Sequence, residues 1–251
     1  GPGAAAPGPA TPGPATPPAA GGPRTADLVR LGMPADLAAA ATADDPYQAT
    51  LQALAHVPAP PAPPAEPGDV LVIAGELAEA LPLARQLATD LHLDPTKLLL
   101  VAPSAAQTGL HASRRISGPA DARRRSRTLH RADVPHLVVI DAPVRGGREG
   151  WVADLADALG ATAVWAVVDA SRKTADTARH LATLGPVDAV AVYGVESTGD
   201  PASVLALDTP VALLDGRPAT ARAWAGLLGE RLQPQPPASG RAGRGRRAGG
   251  R

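Results

Sequence analysis

Asp69-Val70-Leu71-Val72-Ile73-Ala74-Gly75-Glu76-Leu77-Ala78-Glu79-Ala80-Leu81-Pro82 begins a pattern that repeats down the chain: an unbroken apolar run, then a stretch with helical spacing. Apolarity that does not alternate reads as a strand buried on both faces, as in a parallel sheet. Five further runs follow, at Lys97–Ala102, His136–Asp141, Ala163–Asp169, Val187–Tyr193 and Pro210–Asp215. The intervening segments space apolar residues as helices do: Trp151, Leu155 and Leu159; Ala178, Leu181 and Leu184; Trp224, Leu227, Leu228 and Leu232. Repeated strand–helix alternation with right-handed crossovers predicts an α/β fold over residues 69–232, a doubly wound, mostly parallel sheet with flanking helices.

The flanks differ in composition. Residues 1–23 are almost wholly Gly, Pro, Ala and Thr, with too little bulky apolar surface to offset ordering entropy, so disorder is expected there. Residues 24–56 form a short helical segment in which two helices fit, and Asp45-Pro46 reads as an N-cap followed by Pro at the first helical position. Residues 57–68 are a Pro-rich, semi-rigid linker, and residues 233–251 an Arg/Gly-rich tail expected to be disordered. The chain opens Gly1-Pro2-Gly3 without an initiator Met, which reads as a fragment of a longer protein.

Of 251 residues, 45% are apolar but only 2% aromatic; 55 are Ala, and Lys97 and Lys173 are the only lysines against 22 arginines. Arg in place of Lys is therefore a compositional bias here. The absence of Cys excludes a disulfide framework, a thiolate nucleophile and Cys-ligated zinc. No apolar run approaches the roughly 18 residues that span a bilayer. The net charge of zero conceals an asymmetry: −3 over residues 1–68, −2 over 69–232 and +5 over 233–251. Arg114, Arg115, Arg123, Arg124, Arg125, Arg127 and Arg131 face a single Asp121 within residues 113–131, leaving the rest of that domain at −8. This cluster reads as a solvated helix balancing that charge, or as an anion patch for an acidic protein, phospholipid or RNA. It lacks the interleaved aromatics that stack bases, which argues against nucleic acid. Each charge of the tail would add about 1 kcal/mol near an anionic membrane.

No constellation for hydrolytic or metal chemistry stands out. The six histidines show no paired metal spacing, Ser104 and Ser171 lack a nucleophile elbow, and Asp154 and Asp157 read as a solvated helix face. No metal site is expected. In an open α/β sheet ligands bind outside the carboxyl ends of the strands. The first such loop has the position and length of a phosphate cradle, with Pro82 suited to the first turn of the following helix. A cradle needs glycines for close amide approach, a Lys for the phosphates and a hydroxyl for Mg²⁺. The stretch offers one glycine, Gly75, and two carboxylates, Glu76 and Glu79, which read as first-turn acids complementing the helix dipole. Asp169 reads as the cap of a helix beginning near Arg172, and Asp215-Gly216 as turn chemistry.

Four segments carry a family resemblance. Val168–Asp176, reading VDASRKTAD, Pro186–Gly199, reading PVDAVAVYGVESTG, and Thr209–Pro218, reading TPVALLDGRP, resemble in order and spacing the signal-recognition-particle GTPases and the flagellar GTPase FlhF. Val139–Arg145, reading VIDAPVR, falls where that family has Asp-Thr-Ala-Gly-Arg. The resemblance spans residues 69–232 and implies a P-loop NTPase-like fold, with residues 24–56 echoing an N-terminal helical domain. It implies Gly75, Asp141, Glu196 and Asp215 as nucleotide contacts, if a nucleotide binds. The family's phosphate-binding Lys and Thr, however, fall on Ala80 and Leu81, and its guanine-reading residues on Tyr193, Gly194 and Glu196. Its water-positioning segment falls on Pro103–Gln107, without Asp or Arg. Phosphoryl transfer is nearly all positioning and electrostatics, so these losses remove most contributors.

The expectation is a pseudo-GTPase with no enzymatic activity and no cofactor, GTP–Mg²⁺ included. It would serve as a cytoplasmic protein-interaction or scaffold module, peripheral to a membrane in a flagellar or secretion assembly by analogy alone. Two alternatives stand beside it. One is a residual GTP-binding switch with slow or partner-assisted hydrolysis, Arg145 or Arg148 replacing the missing Lys. The other is an anion-binding module that docks the Arg cluster and tail on lipid or RNA.

Overall fold

The structure, a computed structural model, describes residues 22–103 and 108–233. The segments expected to be disordered lie almost entirely outside the described residues.

Six parallel strands, β1 (Val70–Gly75), β2 (Leu98–Val101), β3 (His136–Asp141), β4 (Ala163–Asp169), β5 (Ala189–Tyr193) and β6 (Val211–Leu214), form one sheet. The order is β2-β3-β1-β4-β5-β6, ending in a two-residue antiparallel strand, β7 (Arg217–Pro218). The apolar runs are strands for the reason their composition suggests: every residue of β1 is buried, which only a sheet covered on both faces permits. Between β6 and β7, Asp215 and Gly216 both take positive φ, 43° and 79°, the geometry of a tight hairpin turn.

The two faces are unequally covered. On one, α4 (Leu77–Asp90) lies over β1, β2 and β3, burying Leu81, Ala84 and Leu87 against Leu71, Ile73 and Val139. The other face takes α5 (Pro119–His130), α6 (Trp151–Leu159), α7 (Thr174–Leu184) and α8 (Ala221–Leu232).

Three helices, not two, precede the linker: α1 (Thr25–Arg30), α2 (Ala35–Ala38) and α3 (Pro46–Ala53). The α1–α2 break falls at Gly32, whose φ of +88° and close approach to the backbone at Asp200 and Ser203 leave no room for a side chain. Asp45 caps α3 by accepting from the Gln48 N–H at 2.8 Å, with Pro46 opening the helix. These helices share the core of the sheet. Leu28, Met33 and Leu54 are buried with Trp224 and Leu228, and α3 runs along α8 through Ala49, Ala53, Ala225 and Gly229. Small residues permit that close contact; Tyr47 backbone atoms lie 3.8 Å from a Cβ built on Gly229. No helix among the described residues is long and apolar enough to cross a membrane.

At the amino ends of the strands, His130 ties elements together. Its Nδ1 lies 2.9 Å from the Gly68 carbonyl and its Nε2 2.9 Å from the Leu159 carbonyl. Gly160 ends α6 beside it with φ +67°, where an added Cβ would sit 2.7 Å from Nε2. Gly160→Ala is therefore expected to cost about 1–2 kcal/mol for the left-handed backbone and more for displacing the imidazole. A melting temperature lowered by at least about 3 °C is the measurement.

Candidate functional site

The carboxyl edge of the sheet is where the fold places a ligand site, between β1 and β3, whose following helices lie on opposite faces. Gly75 and Asp141 are register partners there. Gly75 is the last residue of β1 and Leu77 the first of α4, so Glu76 alone joins strand to helix. The expected cradle loop is absent, and the loop-length reading is corrected: residues 77–82 are already helix. Pro82 is the sixth residue of α4, on its exposed side, and not in its first turn. Ala80 and Leu81, where the resemblance places the phosphate-binding Lys and Thr, are buried helix residues facing the sheet. A direct turn also uses up the amides an anion would need. The Glu79 and Ala80 N–H groups both donate to the Glu76 carbonyl, at 3.0 and 2.9 Å.

Part of the remaining space is filled from within, while on the far side of Asp141 a hollow of about 260 Å³ stays open between Arg115, Gly146, Gly147, Arg148 and Trp151. Arg172, in the turn after β4, pairs its guanidinium with the Glu76 carboxylate at 3.1 Å. Asp169 accepts from the Ser171 N–H and hydroxyl at 2.8 and 2.7 Å. It shapes that turn but does not cap α7, which begins at Thr174 with Lys173 in the cap position, so the capping role read from the sequence is corrected. What is left between Glu76, Asp169, Arg172, His180 and Tyr193 is a cavity of about 20 Å³, room for about one water. Gly75 is needed for packing: a Cβ there would lie 2.8 Å from the Val167 Cβ.

The charges are predominantly negative. Burial raises the Asp141 carboxyl pKa, the Glu76 carboxylate pushes it the same way, and the Leu77 backbone N–H offsets part of the effect. Tyr193 is pushed up to about 12, by burial first and then by Asp169, Glu79 and Glu76. His180 is held below its ordinary value by burial and by Arg172. Unit charges of like sign about 4 Å apart repel by about 4 kcal/mol at a partly buried site. At the β1–α4 turn itself little volume and few amides are left for an anion, and carboxylates surround it. Ala80 and Leu81 themselves carry neither a cation nor a hydroxyl. Among the described residues no His/Asp/Glu group has metal-site geometry.

The other sequence candidates separate. Asp215 accepts from the Gly194 N–H at 2.6 Å and so holds the β5 and β6 loops together. Glu196 lies on the rim, mostly exposed, 3.5 Å from Arg231, away from Gly75 and Asp141. The seven arginines form two groups. Arg114 donates to the Pro95 carbonyl, Arg115 to that of Pro103, and Arg125 to those of Ser113 and Arg115, so all three fix the backbone before α5. Arg124 pairs with Asp121, whereas Arg123, Arg127 and Arg131 are exposed at four-residue spacing along one side of α5. Arg148 stacks over the Trp151 ring at 4.4 Å, a packing interaction. Residues 104–107, most of the segment aligned with the water-positioning motif, and Ser104 with them, lie outside the described residues. Arg172 and His180 were missed in the sequence because nothing local marks a side chain that closes over a loop some 96 positions earlier.

No family model and no curated protein matches the chain. Solved structures do. The signal recognition particle receptor FtsY from Elizabethkingia anophelis, in complex with GDP, superposes with a TM-score of 0.53 at 14% identity, over 73% of this chain and 71% of that one. Chloroplast FtsY from Physcomitrella patens gives 0.50 at 15%, over 81% and 72%. The signal recognition particle 54 kDa protein from Aeropyrum pernix K1, in complex with GDP, gives 0.50 at 18%, over 74% and 52%; the chain thus spans about half the length of that protein. The fold is that of the signal-recognition-particle-type GTPases.

Asp141 yields a signed expectation. Its folded pKa is raised, so the group favours folding most below the unfolded value of about 3.9, and this contribution declines as pH rises through the folded pKa. Asp141→Asn removes the charge and keeps an acceptor for the Leu77 amide. In urea unfolding it is expected to be more stable than the parent at pH 7, with the difference shrinking toward pH 4. An Asn variant less stable at pH 7 would contradict the account.

Proposed function

We propose that this chain is a pseudo-GTPase: the fold of the signal-recognition-particle-type GTPases kept as a non-catalytic protein-interaction module, with its nucleotide chemistry lost. One observation carries the reading. Glu76 alone joins β1 to α4, and its carboxylate, paired with Arg172, stands where a phosphate would have to sit. A GTPase of this fold changes conformation with its ligand; here Glu76 and Arg172 supply both charges of the corresponding contact from within the chain. The module therefore holds one conformation irrespective of nucleotide. Its binding partner is a protein, met in the cytoplasm.

The rival reading, a nucleotide switch that borrows Arg145 or Arg148, would draw on the hollow that Arg148 lines with Asp141 and Arg115, where Arg148 is also stacked on Trp151. The exposed row Arg123, Arg127 and Arg131 favours an acidic partner over an apolar one.

The test is calorimetric titration with GTP, GDP and ATP, each with Mg²⁺, together with thermal unfolding. Up to about 1 mM ligand, where even about 4 kcal/mol of binding free energy registers, no heat and no rise in melting temperature are expected. Micromolar affinity for any of the three would overturn the proposal.

A further inference from the structure

The hollow beyond Asp141 is separate from the β1–α4 turn. It sits at the carboxyl ends of two neighbouring strands, with Val101 closing β2 and Asp141 closing β3. Its volume of about 260 Å³ far exceeds the roughly 30 Å³ that a water takes in the liquid, so it has room for an organic molecule and not only for an ion.

We propose that this hollow binds a small organic monocarboxylate, with the carboxylate held by Arg115 and Arg148 and the apolar body against Ile116, Pro143 and the Trp151 ring. The first support is a set of cationic donors that the fold positions and does not use. Arg115 is fixed through its backbone, which bridges to Leu100 at the outer edge of the sheet while the Ile116 N–H donates to the Leu100 carbonyl at 2.8 Å. Its Nη2 donates to the Pro103 carbonyl at 2.7 Å, but its Nε is buried without an acceptor. A donor left unmet in the interior is a cost that an acceptor brought to the same guanidinium reduces. Arg148 lays its guanidinium over the Trp151 ring at 4.4 Å. Stacking uses the face of the group and leaves its in-plane N–H donors for a carboxylate. Among the described residues neither arginine forms an ion pair. Residues 104–107, Ser-Ala-Ala-Gln, contain no carboxylate that could supply one.

The second support is the size of the charge. Two guanidinium groups and the Asp141 carboxylate line the hollow, a balance of +1 that a monocarboxylate neutralises and a dianionic phosphate exceeds. The start of α6 adds to the attraction. Trp151, its first residue, lines the hollow, and no side chain caps this end of the helix, so the positive end of the dipole lies there.

The third is the rest of the lining. Val101, Pro103, Ile116 and Pro143 are apolar, and Gly146 and Gly147 add no side chain. A bare inorganic anion would leave that surface unused, whereas an apolar body removes it from water. The inference does not rest on the pseudo-GTPase reading, since it needs neither a phosphate cradle nor a guanine contact.

The test titrates three probes into the full ¹⁵N-labelled chain at pH 7 and about 0.15 M salt: 3-phenylpropanoate, its neutral amide 3-phenylpropanamide, and phenyl phosphate. For 3-phenylpropanoate, saturable shifts with a Kd of about 1 mM or tighter are expected at the Ala102, Ile116 and Gly147 amides and the Trp151 indole, with the Trp224 indole unmoved. The amide and the phosphate are expected to bind at least about fivefold more weakly. Arg148→Ala, at an exposed position, is expected to weaken the carboxylate about tenfold while the spectrum stays dispersed. Asp141→Asn removes the opposing charge and is expected to tighten binding at least about threefold, which a merely structural role for Asp141 would not produce. Absence of saturable shifts, or equal affinity for the neutral amide, would overturn the proposal. So would unchanged affinity in Arg148→Ala, or weaker binding in Asp141→Asn. Tighter binding of phenyl phosphate or of GTP–Mg²⁺ at the same signals would make this a phosphate pocket and overturn it equally.

Discussion

The direct turn from β1 into α4 through Glu76 is the constraint on which the rest of this molecule depends. A strand buried on both faces must end somewhere polar. Its following helix must then pack back on the sheet within a few residues. Here Gly75 lies flush against Val167, because any side chain there would collide with it, and the helix starts at once. The consequence is arithmetic in amides. N–H groups that a longer loop would aim outward at an anion are spent inside the helix, and Asp141 and Glu76 face the remainder. The electrostatics follow: Glu76, Glu79, Asp141 and Asp169 gather at the edge, Arg172 pairs with Glu76, and the pKa values of Asp141 and Tyr193 rise with burial and like charge.

A second consequence is asymmetry between the two ends of the sheet. Away from the hollow beside Asp141, the carboxyl edge is drawn tight by bonds between neighbouring loops, from Ala142 N–H to the Gly75 carbonyl, Ala170 N–H to the Tyr193 carbonyl and Gly194 N–H to Asp215. Near the start of β6, where the N-terminal helices lean on α8 through alanines and a glycine, apolar surface is left as an open groove. Small residues allow close helix contact, yet they do not fill the space that larger side chains would occupy.

Much of the fold was legible in the residues because both periodicities are strong. The six continuous apolar runs could not be amphipathic strands, and Trp151, Leu155 and Leu159 could only share a helix face. The N-cap at Asp45-Pro46 was legible because capping is local chemistry. The extent of α4 was not. Pro82 is a strong marker for a helix start, yet it sits sixth in α4, where it denies the Ala78 carbonyl its helix donor on the side that faces solvent. Asp169 misled similarly: its carboxylate satisfies the turn at Ser171 in place of the helix that follows. The Arg cluster looked uniform because charge is visible in a sequence and hydrogen-bond partners are not.

The sequence by itself determined the strands and the helices between them, since both depend on residue type at local spacing. Only the tertiary structure decided that Arg172 closes on Glu76, that α1 to α3 join the core of the sheet, and that a groove opens beside Trp224. Each of these depends on residues brought together from opposite ends of the chain, and the distance between two side chains in space is fixed by how strands and helices pack.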